Sequence, residues 1–259
     1  MQKKLKSASQ IITDWISSPG NIELKPDSVH IWSVHISQNK SNLTYFWDLL
    51  STDEQKKANA FYFSKDKNCS IIARGVLREL LGSYLKIDPK HIEFQYGKNG
   101  KPMFGNPENI EFNISHSGDV IIFGFTKNNE IGIDVEYIKQ DPELLEIASN
   151  FFSDEEVKSL YELDTSERLL GFFNCWTRKE SFIKAKGDGL SFPLKEFVVS
   201  LSPYKKTALL KTKWDANEKS KWVLESFVPS SGYVGAIAVQ GRIKSLHYLK
   251  WNPSRLLQV

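Results

Sequence analysis

The stretch Ile131-Gly132-Ile133-Asp134-Val135-Glu136 constrains this chain more than any other. Ile131, Ile133 and Val135 alternate with Gly132, Asp134 and Glu136, the period of a strand with one apolar face. Residues two apart on a strand point the same way, so Asp134 and Glu136 share a face. Adjacent carboxylates repel unless positive charge stands between them. The stretch therefore admits two readings. It is a surface strand with a solvated acidic face, or it is part of a site for a hard, oxygen-seeking cation such as Mg2+.

A chain of 259 residues can form one large domain or two small ones. Its 41% hydrophobic and 25% charged content is that of a soluble globular protein. A net charge of +3 is too small to point to a nucleic-acid binder, but it suits an anionic ligand or an acidic partner. Two cysteines, Cys69 and Cys175, cannot build a disulfide framework, which points to the reducing cytoplasm. Lys3, Lys4 and Lys6 precede apolar residues that Asp14 interrupts, so no signal peptide is expected, and no apolar run is long enough to span a membrane.

Residues 8 to 17 read as a short amphipathic helix with Ile11, Ile12, Trp15 and Ile16 on its apolar side. Val29 to Ile36 reads as a strand. Ser51 with Glu54 reads as a helix start, with the helix running on through Phe61-Tyr62. Asp66 to Leu85 carries the longest helical periodicity, and Ile92-Glu93-Phe94 reads as a short strand. Residues 110 to 114, 120 to 126 and 131 to 138 predict three consecutive antiparallel strands, with Ser115-His116-Ser117-Gly118 as a turn between the first two. Helices are expected from Asp141, from Ser153 and over 167 to 186, with strands at 197 to 201, 222 to 228, 233 to 240 and 247 to 251. Phe112 to Gly118 and the strand after it echo Ser226 to Gly232 and the strand after that. The predicted fold is α+β: two similar lobes related by a pseudo-twofold axis, each with helices packed on a small, mainly antiparallel sheet. The lobes would span residues 1–128 and 129–259, with the active site at their interface.

A second stretch, Phe173 to Gly187, places Glu180 four residues before Lys184 on one helix face. A surface ion pair is one reading. The other sets Glu180 beside apolar Phe173 and Trp176, as a third oxygen donor to a cation held by Asp134 and Glu136. Gly100-Lys101-Pro102 and Ser115-His116-Ser117 offer amide, ammonium, hydroxyl and imidazole donors to an anion. Carboxylates with a cation and a lysine also suit a metal-dependent nuclease, although the weak basicity speaks against polyanion binding.

These motifs, in this order, resemble the surfactin-type 4'-phosphopantetheinyl transferases, and the match covers about Asp53 to Phe197. The resemblance implies a monomer that moves the phosphopantetheine arm of coenzyme A to a serine of an acyl or peptidyl carrier protein. Adenosine 3',5'-bisphosphate would be the other product, with neither nucleic acid nor membrane as a partner. It implies Mg2+, or Mn2+, on Asp134, Glu136 and Glu180, with Glu180 and Lys184 catalytic. It assigns coenzyme A contacts to Lys57, Lys101, Pro102, Ser115, His116, Ser117 and Lys184. The chain departs from the pattern at Glu54 and Cys69, where better-known members carry basic residues that clamp the 3'-phosphate; Ser70, Lys65 and Lys67 are the candidates to compensate. A coenzyme A-binding module without turnover is the non-catalytic alternative.

Overall fold

A serine followed three residues later by a glutamate starts two of the helices. Ser51 Oγ accepts the Glu54 amide, and the Glu54 carboxylate accepts the Ser51 amide at 2.8 Å, which opens α2 (Thr52–Asn59). Ser153 and Glu156 repeat the arrangement at the start of α5 (Asp154–Tyr161). The computed structural model describes residues 13–17, 23–97, 100–187, 189 and 192–252, and the chain divides into two compact units.

The first unit comprises residues 15–128 and the chain from Ser245 onward. Its five-stranded sheet has the order β1 (Ile16–Ser17), β12 (Ser245–Lys250), β2 (Ser28–His35), β6 (Val120–Lys127), β5 (Ile110–Ser117). The β1–β12 and β12–β2 pairs are parallel, and the β2–β6 and β5–β6 pairs antiparallel. α1 (Leu43–Leu49) and α3 (Ser64–Leu85) join it. Ile72, Val76, Leu77, Leu80 and Leu81 of α3 are fully buried in one core with Trp32, Phe123 and Phe125 of the sheet. Gly75 lets α1 approach, because a Cβ there would meet the Phe46 ring at 2.4 Å. A small hairpin, β3 (Gln95–Tyr96) and β4 (Pro102–Met103), lies beyond α3.

The second unit comprises the chain up to Asp14 and Asn129–Lys244. Its antiparallel sheet has the order β10 (Trp222–Phe227), β11 (Tyr233–Gln240), β7 (Ile131–Tyr137). Helix α6 (Thr165–Lys186) packs on β7 and β11, with α4 (Leu144–Phe151) and α5 beside it. β8 (Phe197–Val199) and β9 (Leu209–Thr212) form a second small pair. The echoing segments 112–122 and 226–235 are both hairpins, β5–β6 and β10–β11, and each unit carries one 22-residue helix. The chain is α+β in both units. Among the described residues no helix is long and apolar enough to cross a membrane.

Several expectations need correction. The helix expected over 8–17 is absent over residues 13–17, which run extended into β1, where backbone pairing with β12 overrides the periodicity; residues 8–12 lie outside the described ones. α2 stops at Asn59, and Tyr62 stands 93% exposed beyond it. The strand expected at 92–94 is instead the two residues 95–96. β7 does not continue the β5–β6 hairpin but pairs with β11. The chain from Ser245 groups with the first unit rather than with residues 129–244, because β12 hydrogen-bonds to β2.

Candidate active site

Gly132 sets the geometry of the second unit. A Cβ on it would stand 2.0 Å from the Ser181 carbonyl oxygen and 2.3 Å from the Ala185 nitrogen, so the backbones of β7 and α6 touch there. Only hydrogen fits, and backbone atoms cannot swing aside. The face that Gly132 turns to α6 is also the face of Asp134 and Glu136, since the three residues share strand parity. Gly132→Ala is therefore expected to cost about 1–3 kcal/mol, as overpacking does. A melting temperature equal to the wild type's would refute the contact.

Asp134 is 4% exposed, and its Oδ1 accepts a hydrogen bond from Lys184 Nζ at 2.6 Å. Glu180 lies one helical turn before Lys184 and is 8% exposed. Its Oε1 is buried and has no hydrogen-bond partner. Burial first, and then the nearby charges of Asp134 and Glu136, push the Glu180 carboxyl up to about 7 against the opposing charge of Lys184. The sequence-predicted Asp134, Glu136, Glu180 and Lys184 thus form one electrostatic group, with Glu136 half-buried at its edge. Among the described residues no three or more His, Cys, Asp or Glu side chains stand close enough together to hold a metal ion as they are. The donor chemistry nevertheless fits Mg2+: hard carboxylate oxygens, one of them buried without a donor. Trp176, four residues before Glu180 on α6, stacks on Phe172 at 6.1 Å and meets the edge of Phe151 at 6.0 Å.

Sequence reasoning assigned nothing to Arg178 and Lys179, yet both are buried. Arg178 donates to Ser200 O at 2.5 Å and to Ser226 Oγ at 3.1 Å. Lys179 forms an ion pair with Glu156 at 2.8 Å. A basic pair inside an otherwise apolar helix face was the available signal.

The other candidates lie in the first unit. Lys57 is exposed at the end of α2, with its ammonium 3.6 Å from the centroid of the Tyr96 ring. Ser70, Lys101 and Pro102 are half-buried, and the Gly97 amide closes the β3–β4 turn on the Lys101 carbonyl at 3.0 Å. Ser115, His116 and Ser117 are the last residues of β5 rather than a turn, which is formed by Gly118 and Asp119. Pleating places Ser115 and Ser117 on one face and the exposed His116 on the other, so the three do not present a single donor surface.

Both departures from the family pattern have structural explanations. Glu54 is 5% exposed and pairs with Arg78 Nη2 at 2.7 Å and Arg74 Nε at 3.2 Å, so it serves the helix cap and a buried ion-pair network. Cys69 is 8% exposed in the core, where burial pushes its thiol up to about 11. A basic side chain there would lose packing and face the cost of burying a charge, so this position is no anion ligand.

The pattern described as the 4'-phosphopantetheinyl transferase superfamily matches residues 130–238, and that described as 4'-phosphopantetheinyl transferase, N-terminal, matches residues 36–126. The chain is 35% identical over 230 residues to the 4'-phosphopantetheinyl transferase HetI of Nostoc sp., covering 88% of this chain and 94% of that one. It is 36% identical over 156 residues to the 4'-phosphopantetheinyl transferase Sfp of Bacillus subtilis, covering 60% and 68%. It is 30% identical over 217 residues to the human L-aminoadipate-semialdehyde dehydrogenase-phosphopantetheinyl transferase, covering 76% and 69%. A relative matched over nearly its whole length, and two patterns that together span most of the described chain, make this protein a member of the 4'-phosphopantetheinyl transferase superfamily.

Proposed function

We propose that this transferase takes the 4'-phosphopantetheine arm from coenzyme A and delivers it to a serine hydroxyl of an apo acyl or peptidyl carrier domain. The observation that carries the reading is the buried Glu180 oxygen without a donor, one turn from a lysine already paired to Asp134. Asp134, Glu136 and Glu180 would hold Mg2+ or Mn2+. When bound, the cation would neutralise pyrophosphate charge and hold the phosphorus for in-line attack. Glu180 takes the proton of the carrier serine as a positioned general base. The serine oxygen bonds to phosphorus as the bond to the bisphosphate breaks. Lys184 donates a hydrogen bond to the departing phosphate oxygen. Lys57, Ser70, Lys101, Pro102, Ser115, His116 and Ser117 contribute contacts to coenzyme A, and Lys57 is the charged group best exposed for a phosphate. We place the enzyme in the cytoplasm as a monomer with no nucleic-acid or membrane partner; both cysteines are buried free thiols, which suits a reducing compartment.

The test is to incubate the protein with coenzyme A, Mg2+ and an apo carrier domain, and to weigh the carrier by mass spectrometry. A gain of one phosphopantetheine is expected, abolished by chelator. A carrier of unchanged mass, with an established transferase modifying it in parallel, would sink the reading.

A further inference from the structure

Lys184 stands where two tasks conflict. Its ammonium lies 2.6 Å from Asp134 Oδ1, and the charges of Lys184, Asp134 and Glu136 all act on Glu180. The lysine side chain is 29% exposed and the aspartate 5%, so one end of the pair reaches solvent and the other does not. We propose that Lys184 is a tethered competitor of the divalent cation for Asp134, and that arrival of the metal hands its ammonium to the anionic substrate. The inference rests on the reading that Asp134 is a metal ligand.

The argument is one of charge and reach. Carboxylates this close need a counter-ion, and lysine supplies one on a flexible four-carbon stem. The backbone of α6 cannot shift to release it, because Ser181 and Ala185 are in contact with Gly132 and Lys179 is anchored by Glu156. The exchange therefore needs only a change in the Lys184 side chain. A divalent cation on Asp134 repels the ammonium, which can then turn to a phosphate. Metal alone binds weakly in such a site, whereas metal and a phosphate ligand reinforce each other, and that coupling is reciprocal.

Mn2+ binding to the whole protein, without coenzyme A, can be followed by the paramagnetic resonance signal of free Mn2+. Lys184→Met is expected to lower the Mn2+ dissociation constant about fivefold, the scale of a part-exposed ion pair. Lys184→Arg should stay near the wild type. Lys186→Met removes the same charge from the same end of α6, where its partner Glu218 keeps Lys221 at 2.9 Å, and should leave Mn2+ affinity unchanged. Asp134→Asn should lose Mn2+ binding. Competition is overturned if Lys184→Met binds Mn2+ no more tightly than the wild type, or if Lys186→Met tightens binding as much. If Asp134→Asn binds Mn2+ like the wild type, the metal assignment itself fails, a result distinct from the others.

Discussion

Replacing Glu180 by glutamine is expected to lower kcat by about a hundredfold or more, the usual yield of a positioned general base. The substitution preserves shape, removes the capacity to ionise and puts an amide NH2 in place of one carboxylate oxygen, so it strikes both the base and a ligand proposed for the cation. The effect can be separated from folding by its sign with pH. Burial and two neighbouring carboxylates raise the Glu180 carboxyl to about 7 from an ordinary 4.5, so the folded protein holds this proton more tightly than the unfolded chain does. Its contribution is therefore fully present below the ordinary value and is lost as pH rises through about 7. Glutamine cannot ionise and escapes that loss. In chelator at pH 8, Glu180→Gln should melt no lower than the wild type while its turnover on a carrier domain collapses. Turnover within a few-fold of the wild type's would remove Glu180 from the reaction.

The part of the site that the sequence displayed is the part governed by local periodicity. The two-residue repeat of β7 put Asp134 and Glu136 on one face, and the four-residue spacing in α6 put Glu180 and Lys184 on another. That these faces meet depends on Gly132, whose lack of a side chain says nothing until a helix is found pressed against it. Long-range pairing was hidden for a similar reason. β7 follows the β5–β6 hairpin in sequence and looks like its third strand, but the hydrophobic pattern does not name a partner, and β11 is the one it pairs with. β12 joins β2 across more than two hundred residues, a pairing that no short motif encodes. Ser115-His116-Ser117 read as a turn because polar residues cluster there, whereas backbone pairing with β6 carries the strand through all three. Glu54 marked a missing cation in the sequence; its burial against Arg74 and Arg78 shows a carboxylate with a structural task of its own.

The second large effect is expected at a residue that touches no reacting group. Lys179 and Glu156 are each 1% exposed. The ammonium has three donors and three acceptors: Glu156 Oε2 at 2.8 Å, Leu194 O at 2.8 Å and Phe197 O at 2.7 Å. Glu156 accepts in addition the Ser153 amide at 2.8 Å, the Ser153 hydroxyl at 2.9 Å and the Val199 amide at 2.8 Å. Every polar contact in this group is therefore made, and the start of α5, strand β8 and the middle of α6 are tied at one point. Lys179→Met leaves Glu156 charged and buried without its cation, and should cost about 3–5 kcal/mol in urea unfolding. Adding Glu156→Leu removes the stranded charge and should recover part of that loss, the remainder being the helix-cap contact and the Val199 amide and Leu194 and Phe197 carbonyls left without partners. The neighbouring pair Lys211–Glu155 offers the contrast, because its side chains are 57% and 59% exposed and Lys211→Met should change stability by less than about 1 kcal/mol. Equal losses for Lys179→Met and Lys211→Met would mean that burial does not set the strength of these pairs.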